Sequence, residues 1–339
     1  MAWISCTDKR FTSESVWKDK TLTIESQIIA DDLDILVSGE MRLIDSFLII
    51  SDAYNEPLYR IYKITDNNQL EYISGFGAKG EGPNEFLFNS YMQIGEDRLS
   101  ILDQTLLRNY FIDFHKLANP DVDSFMVAKS VKNAANFHAL IEVSDDLYVG
   151  NGSFHDGMFA FYCDDSVIQT HIPFPEDGIS ASHIQKGLAY QGACLKQTGG
   201  NKLVFAGHNG HFLEIYNIKD TLMQKVFSDV YEFPRYTPED GGNFIEVNFA
   251  QDDLLGFLDV FATSEYIYAL YCGKKYGDNR AFLANIIYVY NWNGERIKKY
   301  ILDKELSGIC VNKENTKIYG LYTDSNDDRL KIVLFHLPQ

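Results

Sequence analysis

The sequence predicts an all-β fold, a single six-bladed β-propeller with four-stranded antiparallel blades. Three observations lead there. One pattern recurs six times at intervals of about 50 to 65 residues, the range of the longer propeller repeats. Residues that favour pleated, half-buried surfaces abound, with 21 Tyr and 23 Phe among 339 residues. Apolar residues show no sustained 3.6-residue period, apart from one short helical stretch expected at residues 182–189.

Each repeat opens on polar turn residues and runs through a short β-rich segment into a second apolar segment. The six central segments are residues 45–52, 96–103, 145–151, 201–207, 264–271 and 315–322. Flanking strands are expected at 41–44, 59–64 and 70–74 in the first unit and at 139–143, 158–162 and 166–172 in the third. The fifth unit supplies 259–262, 286–291 and 296–302. Turn residues such as Asp66-Asn67-Asn68 and Asn291-Trp292-Asn293-Gly294 separate them. A pair of β-sandwiches would explain strands, but not six alike units.

The ends of the chain sharpen this reading. The last unit offers only three strands, 307–311, 317–322 and 330–335, which would leave an exposed sheet edge. Residues 21–29 form an orphan strand ahead of the first unit, and docking it on the outer edge of 330–335 closes the last blade. Residues 1–20 are then an N-terminal linker, and residues 21–339 one propeller domain.

Composition removes several function classes. Asp and Glu number 48 against 30 Lys and Arg, giving a net charge of −18 that a nucleic-acid backbone or an anionic membrane would repel. Cys6, Cys163, Cys194, Cys272 and Cys310 form no C-x-x-C pair, which argues against a zinc knuckle or a thioredoxin-like site. Cys272 and Cys310 lie in apolar runs and are expected to be buried. No apolar run approaches the roughly 20 residues that span a bilayer. Trp3-Ile4-Ser5-Cys6 is similar to the end of a lipobox, although Trp stands where Leu is usual, and it makes Cys6 a candidate for lipidation.

Residues 75–80, Gly-Phe-Gly-Ala-Lys-Gly, match G-x-G-x-x-G in form. The next residues, Glu81-Gly82-Pro83-Asn84-Glu85-Phe86, cannot open the helix that a dinucleotide site requires, and no βαβ pattern surrounds them. The run is expected to link the outer strand of the first blade to the inner strand of the second. Followed by an apolar strand and a D-x-L-x-I-x-D type strand, it resembles the TolB-like six-bladed propellers common in Bacteroides-type bacteria, with Asn84 where Gly is usual. The resemblance extends over residues 21–337. It implies an extracytoplasmic chain, periplasmic or anchored to the outer membrane as a lipoprotein, with no established enzymatic activity and no site residues to transfer.

Candidate ligand-binding residues come from the face where second-to-third-strand turns and inter-blade connections emerge. They are Tyr54, Asn55, Arg108, Asn151, His155, His208, His211 and Arg280. His208 and His211 lack an identifiable third metal ligand and suit a solvated turn. Residues 324–328 are oxygen-rich but lack the ligand order of an EF-hand, so a divalent cation such as calcium is left open and no cofactor is predicted. No G-x-S-x-G nucleophile occurs. The function expected is a non-catalytic cell-envelope binding propeller for a protein or glycan, with no nucleic-acid partner and contact with a membrane only through Cys6. The alternative is a metal-dependent hydrolase of the six-bladed lactonase type, which uses Glu, Asn and Asp on inner strands. Inner-strand residues here, Leu43, Ile94, Leu140, Leu195, Phe261 and Ile309, are expected to be apolar and weigh against it.

Overall fold

The computed structural model of the chain describes residues 17–31, 33–87, 92–117, 125–144, 146–241, 245–324 and 328–338. Cys6 and the motif around it lie outside the described residues.

Six four-stranded antiparallel sheets follow one another along the chain and form the blades of a propeller. Blade 1 runs outward through Ser38–Ile44, Phe47–Asp52, Tyr59–Ile64 and Leu70–Phe76, and the other five repeat this order. All six central segments expected from the sequence are second strands: Phe47–Asp52, Arg98–Asp103, Leu147–Phe154, Lys202–Gly207, Tyr266–Tyr271 and Lys317–Thr323. These strands are apolar on both faces because each blade is packed between two others. Ile49 and Ile61 join the apolar cluster shared with blade 2, whereas Leu48 and Ile50 join the one shared with blades 5 and 6. Full burial of each such side chain contributes about 1.5–3 kcal/mol. Cys272 and Cys310 are buried in the latter cluster, as expected of small apolar residues.

The N-terminal segment closes the ring, but differently from a single strand over residues 21–29. Ser26–Ala30 pairs antiparallel with Leu330–His336, placing Ser26 opposite Phe335. That partner strand ends at His336, so residues before Ser26 have nothing left to pair with in blade 6. They cross instead to blade 5, where Thr21–Ile24 adds a fifth, parallel strand against Arg296–Leu306. The Asp303 carboxylate holds the crossing by accepting from Ser26 N at 3.1 Å and Ser26 Oγ at 3.2 Å. Trp17 anchors the start of the segment, buried and stacked on Tyr288 at 4.9 Å. The terminus thus ties two blades together.

The Gly-rich run makes the expected inter-blade link. Ala78–Lys79 and Glu85–Phe86 form a short parallel pair, and no helix follows. Gly77 has φ +80°, and a Cβ there would lie 3.1 Å from the Phe86 ring and 3.2 Å from Tyr59. Phe86 fills the gap between the blades, against Tyr59 and Tyr110.

Inter-blade connections on this same face, here called the upper face, are long. Between blades 3 and 4 lies the expected helix, His183–Ala189, with Ser182 and Gln185 forming a capping box. Between blades 4 and 5 stands a hairpin, Thr237–Asp240 with Ile245–Asn248, that the repeat pattern does not anticipate.

Candidate functional site in the upper mouth of the channel

The central channel has two mouths, separated by a charged plug. Its upper mouth is a cavity of about 360 Å³ lined by Glu40, Asp259, Gln191, His208, Asn209, Tyr276, Ser307 and apolar neighbours. Its floor is built from two inner strands that carry bulges. The register of the first strand of blade 1 shifts between Ser38 and Met41, and that of blade 5 shifts between Phe257 and Asp259. A bulge re-aims the side chains around it, and here it delivers Glu40 and Asp259 to the channel. Ser51 Oγ sits against the first bulge and accepts from Glu40 N at 2.8 Å.

Arg42 lies between the two carboxylates, with its side chain only 2% exposed. Its guanidinium donates to Glu40 Oε1 at 3.1 Å, Asp259 Oδ1 at 3.4 Å, Met92 O at 3.0 Å and Met41 O at 2.9 Å. Glu40 Oε2 accepts from Met92 N at 2.6 Å, and Asp259 accepts from Ile309 N at 2.9 Å and Val260 N at 2.8 Å. The network therefore draws together inner strands of blades 1, 2, 5 and 6. Burial pushes the Glu40 carboxyl up to about 7; Arg42 pulls it down and Asp259 adds to the rise. Burial also raises Asp259 against the pull of Arg42. For Arg42 burial acts downward, yet Glu40 and Asp259 hold it above its ordinary value.

His208 stands on the wall, its Nδ1 2.8 Å from Phe257 O. A carbonyl only accepts, so Nδ1 carries the proton and Nε2 is the acceptor. Burial keeps this imidazole below its usual value and neutral. Asn209 ties the long loops to the mouth: its Nδ2 donates to Ala189 O at 3.0 Å, and its Oδ1 accepts from Tyr276 at 2.6 Å. Tyr276 stacks on Phe249 at 5.1 Å and meets the edge of Phe282 at 5.8 Å.

Of the candidates read from the sequence, His208 alone lines this mouth. The others sit farther out, because second-to-third-strand turns lie midway along a blade and the inter-blade loops reach the axis. Tyr54 is exposed, and Asn55 N donates to Asp52 at 3.2 Å. Asp52 and Asp103 hold the same structural place in blades 1 and 2. Their carboxylates bind amides of both the neighbouring turn and the inter-blade connection, as with Tyr54 and Leu36, or Thr105 and Leu87. Arg108 donates to Glu81 O and Gly82 O, which clamps the Gly-rich link. Arg280 and Lys274 share the carboxylate of Glu305. His155 is exposed beside Asp156. Asn151 is buried, and its amide has no hydrogen-bond partner among the described residues. His211 is buried among Tyr231, Phe257, Tyr271 and Tyr288, and burial lowers it to about 4. His208 and His211 therefore form neither a metal pair nor a solvated turn.

The expectation of apolar inner strands is corrected as well. Leu43, Leu195, Phe261 and Ile309 are buried, but Glu40, Arg42, Gln93, Glu142, Lys196 and Asp259 belong to the same set of strands. Among the described residues no three His, Cys, Asp or Glu side chains gather for a metal ion. Arg42 occupies the place between the carboxylates, so the arrangement lends no support to the lactonase-type alternative.

Similarity to known proteins follows the fold. A protein of Bacteroides fragilis, provisionally described as exported, superposes with a TM-score of 0.55 at 12% identity, covering 97% of each chain. A DUF4221 family member from Bacteroides vulgatus also gives 0.55 at 12% identity, over 93% of this chain and 97% of that one. The structure titled U3-55K gives 0.51 at 7% identity, over 92% and 98%. No curated protein matches the chain significantly. The family model described as "TolB-like 6-blade propeller-like" matches residues 18–314, and the chain belongs to that TolB-like family.

Proposed function

We propose that the chain is a non-catalytic binding propeller of the cell envelope, and that its protein or glycan ligand enters the upper mouth of the channel. The observation that carries this reading is the construction of that mouth. Long inter-blade loops converge on one cavity with an aromatic wall and a polar floor already locked by Arg42. Such rigid scaffolding beneath long loops is the usual setting for recognition. Aromatic side chains with polar tips suit sugar rings or a projecting peptide side chain. Titration with muropeptides and outer-membrane polysaccharide tests it. Binding is expected to weaken at least tenfold in Phe282→Ala, which removes an exposed ring, and in Leu188→Trp, which narrows the cavity. Binding indifferent to both changes would place the ligand elsewhere.

An envelope location is supported by the likeness to the Bacteroides fragilis protein described as exported and by the lipobox-like residues at Cys6. Expression from the genomic locus with alkyne-palmitate labelling tests the anchor. Label is expected on the wild type and absent from Cys6→Ala; label on both, or on neither, removes the lipoprotein reading.

A further inference from the structure

We infer that the upper mouth selects a cationic group, a primary ammonium or guanidinium carried on an apolar or aromatic body. This rests on the reading of that mouth as the ligand site and specifies its chemistry. Two carboxylates, Glu40 and Asp259, open onto the cavity with side chains 20% and 11% exposed, while the one cation of the floor, Arg42, lies beneath them. Once Glu40 has released its proton, above about pH 7, both acids are ionised and the floor is one positive charge short.

Several features point the same way. None of the described lining residues is Lys or Arg. Two cations of the neighbouring loop, Lys274 and Arg280, are held on Glu305. Asn209 is committed to the loops, its Oδ1 accepting from Tyr276 and its Nδ2 donating to Ala189 O. Ser307 Oγ, at the same wall, is shielded from solvent and has no hydrogen-bond partner among the described residues, which leaves its hydroxyl able to accept as well as donate. A carboxylate accepts up to about four hydrogen bonds, and Glu40 and Asp259 make two and three to neighbouring groups. The floor thus keeps unfilled carboxylate positions with no Lys or Arg lining the cavity to fill them, and an incoming N–H cation supplies both charge and donors. Above it, the stacked rings of Phe249 and Tyr276, with Phe282 at the rim, match an apolar body and attract a cation through their faces.

Phenethylamine, phenethyl alcohol and phenylpropionate separate charge from shape, and protein-observed NMR locates where each binds. The amine is expected to bind at least tenfold more tightly than the alcohol, with shifts at Tyr276, and the carboxylate weakest of the three. Glu40→Gln and Asp259→Asn are each expected to remove most of the amine's advantage, whereas Glu142→Gln, at the other mouth, leaves it unchanged. Should either floor variant unfold, Phe282→Ala still reports whether the amine occupies the mouth. Equal binding of amine and alcohol there overturns the cation inference and leaves the mouth as a ligand site. Failure of all three probes to shift the mouth at millimolar concentration overturns both.

Discussion

The two mouths of the channel are made of similar residues and built in different ways. The lower mouth is the larger, about 540 Å³, and is lined by Gln93, Arg98, Glu142, Lys196 and the short turns 95–97 and 197–199. Its charges sit at strand ends beside water: Arg98 pairs with Glu142 while 36% exposed. In the upper mouth the charges sit at bulges within strands, beneath long loops, and Arg42 is almost wholly enclosed. A solvated charge costs little to lose, whereas an enclosed one is held only by its partners. Size and polarity alone do not separate a built site from an opening between turns; the enclosure of its charges does.

Arg42→Met should show the contrast most strongly. It strands Glu40 and Asp259 in the channel, and breaking such an enclosed network costs about 3–5 kcal/mol. Urea unfolding measures the loss. The triple variant Arg42→Met, Glu40→Gln, Asp259→Asn should recover most of it, because no unpaired charge then remains. A loss below about 1 kcal/mol in the single variant would mean that the plug is solvated like the lower mouth.

Protonation gives the next largest effect. The Glu40 carboxyl is raised from 4.5 to about 7, so between those values the folded chain keeps a proton that the unfolded chain has released. Its contribution to stability is therefore greatest at low pH, falls as pH rises through this window and is level above it, by at most about 3 kcal/mol. Asp259, also raised, acts in the same direction. His138 and His211, lowered to about 4 by burial, act in the opposite one and add stability as pH rises toward 6.5. The informative quantity is thus the difference between wild type and Glu40→Gln. It should decline from pH 5 to pH 7.5; a flat difference removes the proton from Glu40.

The same contrast explains what was legible in the sequence. The second strands announce themselves, since residues 47–52 or 317–323 pack on both faces and read as unbroken apolar runs. Closure was visible as a count of strands, but not the crossing at Ser26, which depends on where Leu330–His336 ends. Glu40, Arg42 and Asp259 do not stand out as channel residues in the sequence, for a local reason. A two-residue alternation cannot place side chains across a bulge, and the bulges at 38–41 and 257–259 appear only as register shifts. The one available signal was the charge itself: Glu40, Arg42 and Asp259 stand beside the apolar residues Met41, Leu43 and Val260. Conversely Arg108 and Arg280 looked exposed and available, yet their partners, Glu81, Gly82 and Glu305, come from other segments.

Tyr276→Phe probes the loops above the plug. The hydroxyl donates to Asn209 Oδ1 at 2.6 Å, and removing a hydrogen bond of this kind costs about 0.5–1.5 kcal/mol. The stack on Phe249 is retained, so binding of an apolar body in the mouth should change less than stability does. If binding falls and stability holds, Tyr276 touches the ligand through its oxygen.

Arg98→Met is expected to matter least, although its pairing looks the stronger on geometry. Arg98 reaches Glu142 with two nitrogens, Nε at 2.9 Å from Oε2 and a terminal nitrogen bonded to Oε1, and it lies 4.6 Å over the Phe111 ring. Arg42 touches Glu40 and Asp259 at 3.1 and 3.4 Å. If bond geometry governed, Arg98 would cost more to remove. Exposure reverses the order: water replaces the lost partner of Glu142, and Met keeps much of the contact with Phe111, leaving about 0–1 kcal/mol. Urea unfolding in low and in 0.5 M salt measures this, and the small loss should shrink further in salt as screening weakens the pair. A salt-insensitive loss equal to that of Arg42→Met would show the lower mouth to be as enclosed as the upper, and enclosure would then no longer favour one mouth as the site of binding.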